Sequence, residues 1–139
     1  MSINTPYGRL ILAKELGNLH GKAQVEYVRI NKGMRFRVHL GFAMELPKGY
    51  KAILIPRSST PEKLEAIQAN SEGLIDQTYC GDDDEWMQEF VALEDTVIVI
   101  GERIGQFYLH KNEEVAILEV DSLSNPSRGG FGKGTADIK

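Results

Sequence analysis

The chain has one cysteine, Cys80, so no disulfide can form within it, and a reducing compartment fits best. Long apolar runs are missing too. Val97 to Ile100 is among the longest and is far too short to cross a bilayer, and the N-terminus carries no apolar signal core. The expectation is a soluble cytoplasmic protein. Positive charge is scarce: the formal net charge is −4, which argues against bulk nucleic-acid binding and leaves any anionic ligand to a few local cations. The three histidines, His20, His39 and His110, lack metal-site spacing. Aspartate is absent from the whole first half, and none occurs before Asp76.

What is present is a core and many turns. Of 139 residues 42% are hydrophobic, enough for one globular domain, and the 14 glycines imply tight turns or a backbone that must approach a ligand. From Met34 to Leu46 apolar residues occupy every second position (Met34, Phe36, Val38, Leu40, Phe42, Met44, Leu46), which predicts a strand with one buried face, bent near Gly41. Arg9–Ala13, Gln24–Ile30, Lys51–Ile55, Trp86–Leu93, Thr96–Ile100, Ile104–Leu109 and Val115–Val120 are further strand candidates. Short strands with frequent turn signals predict an all-β protein with a closed or double-sheet architecture. One short helix is expected after Pro56. It has either Thr60 as N-cap with Pro61 next or a Ser59-to-Glu62 capping box, and Leu64, Ile67 and Gln68 lie on one side. The stretch from Ser124 to Lys139 is polar and glycine-rich and reads as a mobile arm after a 1–123 β domain.

Four segments carry residues suited to chemistry. Pro56-Arg57-Ser58-Ser59 sets a guanidinium and two hydroxyls at a helix start, a phosphate-binding arrangement, although alone it reads more readily as a capped helix with a surface arginine. Asn70-Ser71-Glu72-Gly73-Leu74-Ile75-Asp76 with Tyr79 reads as a small apolar hairpin that leaves Asp76 able to orient or deprotonate a water. The plainer reading is a turn aspartate with a packing tyrosine. Gly101-Glu102-Arg103-Ile104-Gly105-Gln106 is a turn entering a strand, where Arg103 and Gln106 could meet phosphate or simply face solvent. Arg128-Gly129-Gly130-Phe131-Gly132-Lys133 sets one aromatic among glycines and cations, a backbone able to wrap an anion while Phe131 stacks on a base, or else a disordered tail. It is not a phosphate-binding P-loop, because Gly134 follows Lys133 where that motif needs Ser or Thr. Asp82-Asp83-Asp84-Glu85 lacks calcium-loop spacing, and Cys80 has no neighbouring cation or histidine to activate it.

In this order and spacing the four segments resemble the trimeric dUTPase family, over roughly residues 33–135. Gly41 to Tyr50, with Pro47 and Gly49, resembles the family segment before the second motif. The resemblance implies a distorted β jelly roll with one short helix and a flexible C-terminal arm, a homotrimer with active sites shared among three chains, and hydrolysis of dUTP with Mg²⁺ bound to the triphosphate. It implies that Asp76 positions the attacking water and that Tyr79 packs on the deoxyribose and excludes a 2′-hydroxyl. Asn70 and the backbone around Gly73 and Ile75 would read the uracil edge. Arg57, Ser58, Ser59, Arg103 and Gln106 would serve the phosphates, and Arg128 with Phe131, Gly132 and Lys133 would close over the nucleotide.

The chain departs from the family in two places. The first motif, a small-residue turn followed by Asp-Leu, falls by spacing near His20-Gly21-Lys22, where no aspartate stands. Gly132-Lys133-Gly134-Thr135 replaces the usual Ser or Thr pair of the arm. The first departure keeps a rival reading open: a family member that binds uracil nucleotides or a protein partner with little turnover. A dCTP deaminase, which shares the fold, is disfavoured by the Gly73-to-Asp76 segment with Tyr79, and a purely structural jelly roll by the order of the motifs.

Overall fold

The computed structural model describes residues 14–130 with their side chains, and residues 2–5 and 8–11 as backbone. Eleven strands and one helix are assigned within them: β1 (Ser2–Thr5), β2 (Gly8–Ile11), β3 (Glu15–Leu19), β4 (Lys22–Ile30), β5 (Arg35–His39), β6 (Tyr50–Pro56), α1 (Thr60–Leu64), β7 (Ala66–Gln68), β8 (Gly73–Ile75), β9 (Met87–Ala92), β10 (Thr96–Val99) and β11 (Gly105–Lys111). Every pairing is antiparallel. β1 and β2 form a two-stranded ribbon, and three three-stranded sheets run β10-β4-β3, β11-β6-β8 and β5-β9-β7. The all-β expectation holds.

Alternation along the strands builds two apolar clusters. Val28, Ile30, Phe36, Phe90 and Ile98 form one, with the Phe36 and Phe90 rings stacked at 5.6 Å. Leu46, Ala52, Leu54, Ile75 and Trp86 form the other. Burial of each such side chain contributes roughly 1.5–3 kcal/mol. Trp86 is held by two rings, Phe42 at 5.1 Å and Phe107 at 5.0 Å, the latter edge-on.

Four expectations are corrected. The Met34–Leu46 strand ends at His39, because Gly41 turns to φ +84°, a conformation closed to a continuing strand. Hydrogen bonding to Trp86 continues past that point, from Leu40 N to Trp86 O (3.0 Å) and from Trp86 N to Phe42 O (2.9 Å), so the segment bends but stays docked. The helix stops at Leu64, since Glu65 adopts the left-handed conformation; Ile67 and Gln68 belong to β7, and neither cap forms as expected, because Ser59 occupies the N-cap without a side-chain bond. The segment expected to be a hairpin is a turn between sheets: β7 pairs with β9 while β8 pairs with β6. Val115–Val120 forms no strand. It has no partner among the described residues, and Ile117 and Leu118 stand 94% and 81% exposed.

Candidate active site

Two pockets gather six of the candidate site residues named above: Asn70, Gly73, Ile75 and Tyr79 in one, Arg57 and Arg103 in the other. The first, of about 260 Å³, is lined by Asn70, Gly73, Ile75 and Tyr79 together with Trp86 and Gln88. Strand register makes it. β8 lies against β6 with Gly73 opposite Leu54 and Ile75 opposite Ala52, so Ile75 enters the core and Leu74 faces out. Gly73 sits close to β6: a Cβ there would lie 3.3 Å from Leu54 Cβ, so Leu54 would have to give by a few tenths of an ångström. Tyr79 donates its hydroxyl to Glu85 O at 2.8 Å, which pins the ring against the pocket. Glu85 is itself anchored. It accepts from Gly41 N at 3.0 Å and lies 2.8 Å from His39 Nδ1, and the His39 contact, then Gly41, hold its carboxyl below the usual carboxylate value.

Asp76 follows β8 directly and is exposed. Its Oδ1 accepts from Thr78 Oγ1 (2.6 Å) and Thr78 N (2.8 Å), and these two bonds lower its pKa, so the carboxylate is ionised at neutral pH. Both bonds fall on Oδ1, and among the described residues Oδ2 accepts none. Cys80 Sγ lies 3.2 Å from Asp76 O and helps close this turn. The acidic run also closes a turn, since Asp84 accepts from Gly81 N at 2.9 Å.

The second pocket, of about 550 Å³, is cationic. Arg57, Arg103, Lys22 and Lys63 line it, with His20 and Glu102. Thr60 brings the two arginines together. Its hydroxyl accepts from Arg57 N (2.9 Å) and donates to Ile104 O (2.7 Å), tying the entry of α1 to the start of β11. The β3–β4 turn joins through His20 Nδ1, 3.0 Å from Glu102 Oε1. His20 and Gly21 both have positive φ, 53° and 74°, which suits a tight two-residue turn. This turn is the place expected for the first motif, and it supplies Lys22 instead of a carboxylate. None of the four cations forms an ion pair among the described residues, although Glu62 also lines the pocket.

Gln106 lines an adjoining pocket with Arg103, and its Nε2 donates to Pro56 O at 3.2 Å. Ser58 and Ser59 stand beside Arg57 at the start of α1. Arg128 is exposed and lines neither pocket. Phe131, Gly132 and Lys133 lie outside the described residues. The Asn70 pocket and the cationic pocket share no lining residue. Sequence reasoning missed Lys22, Lys63 and Glu102 in the second pocket, and Trp86 and Gln88 in the first. Two of these had a local signal: Lys22 in the turn expected for the first motif, and Glu102 within the Gly101–Gln106 segment.

No family model matches the chain. Its fold is found in solved structures. A variant of the dUTPase of Staphylococcus bacteriophage 80alpha, determined with dUpNHpp, superposes with a TM-score of 0.58 at 17% identity, covering 85% of this chain and 88% of that one. A variant dUTPase from phage phi11 of S. aureus, described with a structural Mg(II) ion, gives 0.56 at 14% identity, with 79% and 91% covered. The class is therefore the distorted jelly roll of the dUTPases. At the sequence level the chain is 49% identical over 108 residues to the SPbeta prophage-derived deoxyuridine 5'-triphosphate nucleotidohydrolase YosS of Bacillus subtilis, covering 77% of this chain and 76% of that protein. The chain belongs to the dUTPase family.

Proposed function

We propose that this protein hydrolyses dUTP to dUMP and pyrophosphate, keeping uracil out of DNA. The observation that carries the reading is the Asn70 pocket, sized for a base and sugar, directly followed along β8 by an ionised aspartate. Asp76 orients the water that attacks the α-phosphorus, using the oxygen that Thr78 leaves open. The Tyr79 ring, pinned through its hydroxyl, excludes a 2′-hydroxyl by shape, and Asn70 with the backbone at Gly73 and Ile75 reads the base. Arg57, Arg103 and Gln106, with Ser58 and Ser59, hold the phosphates and oppose the charge that builds on the pyrophosphate leaving group.

The separation of the two pockets supports a homotrimer with shared sites, in which one chain supplies the base pocket and another the cations. The exposed apolar run at 115–120 supports the same arrangement, since a neighbouring copy would cover it. In this reading residues 124–139 form an arm after the 1–123 domain, with Arg128, Phe131, Gly132 and Lys133 closing over the nucleotide. The lone Cys80 suits a cytoplasmic setting.

Magnesium, which the family implies, would supply charge neutralisation on the triphosphate. The cationic pocket does not fit a protein-held Mg²⁺. Of its two carboxylates Glu102 is engaged by His20, the four cations would repel a bare divalent ion, and no group of three His, Cys, Asp or Glu that could hold a metal occurs among the described residues. The test of the reading is pyrophosphate release from dUTP in Mg²⁺, with dTTP, dCTP and UTP run in parallel. Release from dUTP alone is expected. Absence of release, or equal release from UTP, would overturn the assignment.

A further inference from the structure

We propose that Gln68 and Gln88 are positioning residues: they fix which end of the Asn70 carboxamide faces the pocket, and thereby select a uracil over a cytosine edge. The inference rests on the dUTP reading above and adds the origin of its base preference.

Leu54 O is a backbone carbonyl and only accepts, so the Gln68 atom 3.2 Å from it must be the amide nitrogen, Nε2. That nitrogen also lies 3.1 Å from Asn70, and a donor there requires the Asn70 oxygen, Oδ1. Gln68 is held in this orientation from its other end, where Oε1 accepts from Gln88 Nε2 at 2.9 Å. Reversing either glutamine would set oxygen against oxygen. Gln68 is 8% exposed and Gln88 1%, so water is poorly placed to repair a reversed amide.

With Oδ1 turned to Gln68, Asn70 keeps its NH₂ to donate into the pocket it lines. A donor matches the 4-carbonyl of uracil and opposes the 4-amino group of cytosine, leaving two donors unpaired. The relay reaches the motif that carries Gln106. A Cβ on Gly105 would lie 2.0 Å from Gln88 Oε1, so glycine at that position leaves room for the second glutamine. Gln88 Oε1 is buried with no partner among the described residues.

The test measures binding of non-hydrolysable dUTP and dCTP analogues to the full chain by calorimetry, with kcat and KM for both nucleotides and a melting curve. Gln68→Met should lower the preference for the uracil analogue roughly tenfold, mostly through KM, with kcat on dUTP nearly kept. Asn70→Asp, which presents only acceptors, should swing the preference toward cytosine. Gln88→Met keeps both donations of Gln68 and should act in the same direction but less, which covers failure of the Gln68 variant to fold. In the wild type the Gln68 side-chain amide protons should exchange slowly by NMR. Unchanged preference in folded variants, or fast exchange at Gln68, would overturn the relay while leaving the dUTP reading intact. A wild type that binds neither analogue would overturn that reading and the relay together.

Discussion

The two pockets are built on opposite principles. In the Asn70 pocket Tyr79 is engaged by Glu85 O and Asn70 by Gln68, and Asp76 beside it is engaged by Thr78. Trp86 Nε1 and Gln88 Oε1 are the buried side-chain atoms left without a partner among the described residues. In the cationic pocket Arg57, Arg103, Lys22 and Lys63 make no ion pair among the described residues, and the turn and helix that carry them are held by other groups, His20 and Thr60. A pocket with committed hydrogen bonds presents a fixed edge, and discriminates by what it refuses to pair. A pocket with free charge gives attraction, which is stronger but less selective and weakens with salt.

The largest effect that would sharpen this contrast is on turnover. Asp76→Asn should lower kcat on dUTP by roughly a thousandfold, while calorimetry shows the analogue still bound. Wild-type turnover in that variant would remove Asp76 from the mechanism. Next comes the charge side. Arg57→Ala should weaken pyrophosphate binding by about 1.5–3 kcal/mol and flatten its salt dependence, with deoxyuridine binding untouched. Equal losses for both ligands would mean that the pockets are not separate in function.

Gly105→Ala crosses between the two. It lies on the strand that carries Gln106, yet its methyl would displace the Gln88 amide, so destabilisation of about 1–3 kcal/mol should come with loss of base preference and not of pyrophosphate binding. The smallest effect is on pH. The contacts from His39 and Gly41 hold the Glu85 carboxyl below its ordinary value of 4.5. A depressed pKa adds stability above the unfolded value that is lost as pH falls through the lower folded value. The melting temperature should therefore decline below pH 4.5, and less steeply in Glu85→Gln. The Asp76 carboxyl is lowered from 3.8, so the acid limb of turnover should fall below that value.

Much of this was legible in the sequence. Burial at Phe36, Val38 and Leu46 follows the alternation from Met34, and Asn70, Gly73, Ile75 and Tyr79, neighbours in sequence, line one pocket. Bonds to Thr78, two positions along the chain, depend only on a local turn. The misses have physical causes. Glu65 takes a left-handed conformation that no helix period reveals, so Ile67 and Gln68 left the helix for a strand. Val115–Val120 has strand composition but, among the described residues, no strand beside it to complete a ladder.

The sequence by itself determined the strand-rich architecture, the order of the motifs and the absence of any aspartate before Asp76, because composition, alternation and spacing are properties of the chain. Only the tertiary structure decided what meets what. His20 reaches Glu102 across 82 positions, Thr60 reaches Ile104 across 44, and Gln88 reaches Gln68 across 20. Those contacts follow from strand register and sheet order, which a local pattern permits but does not choose.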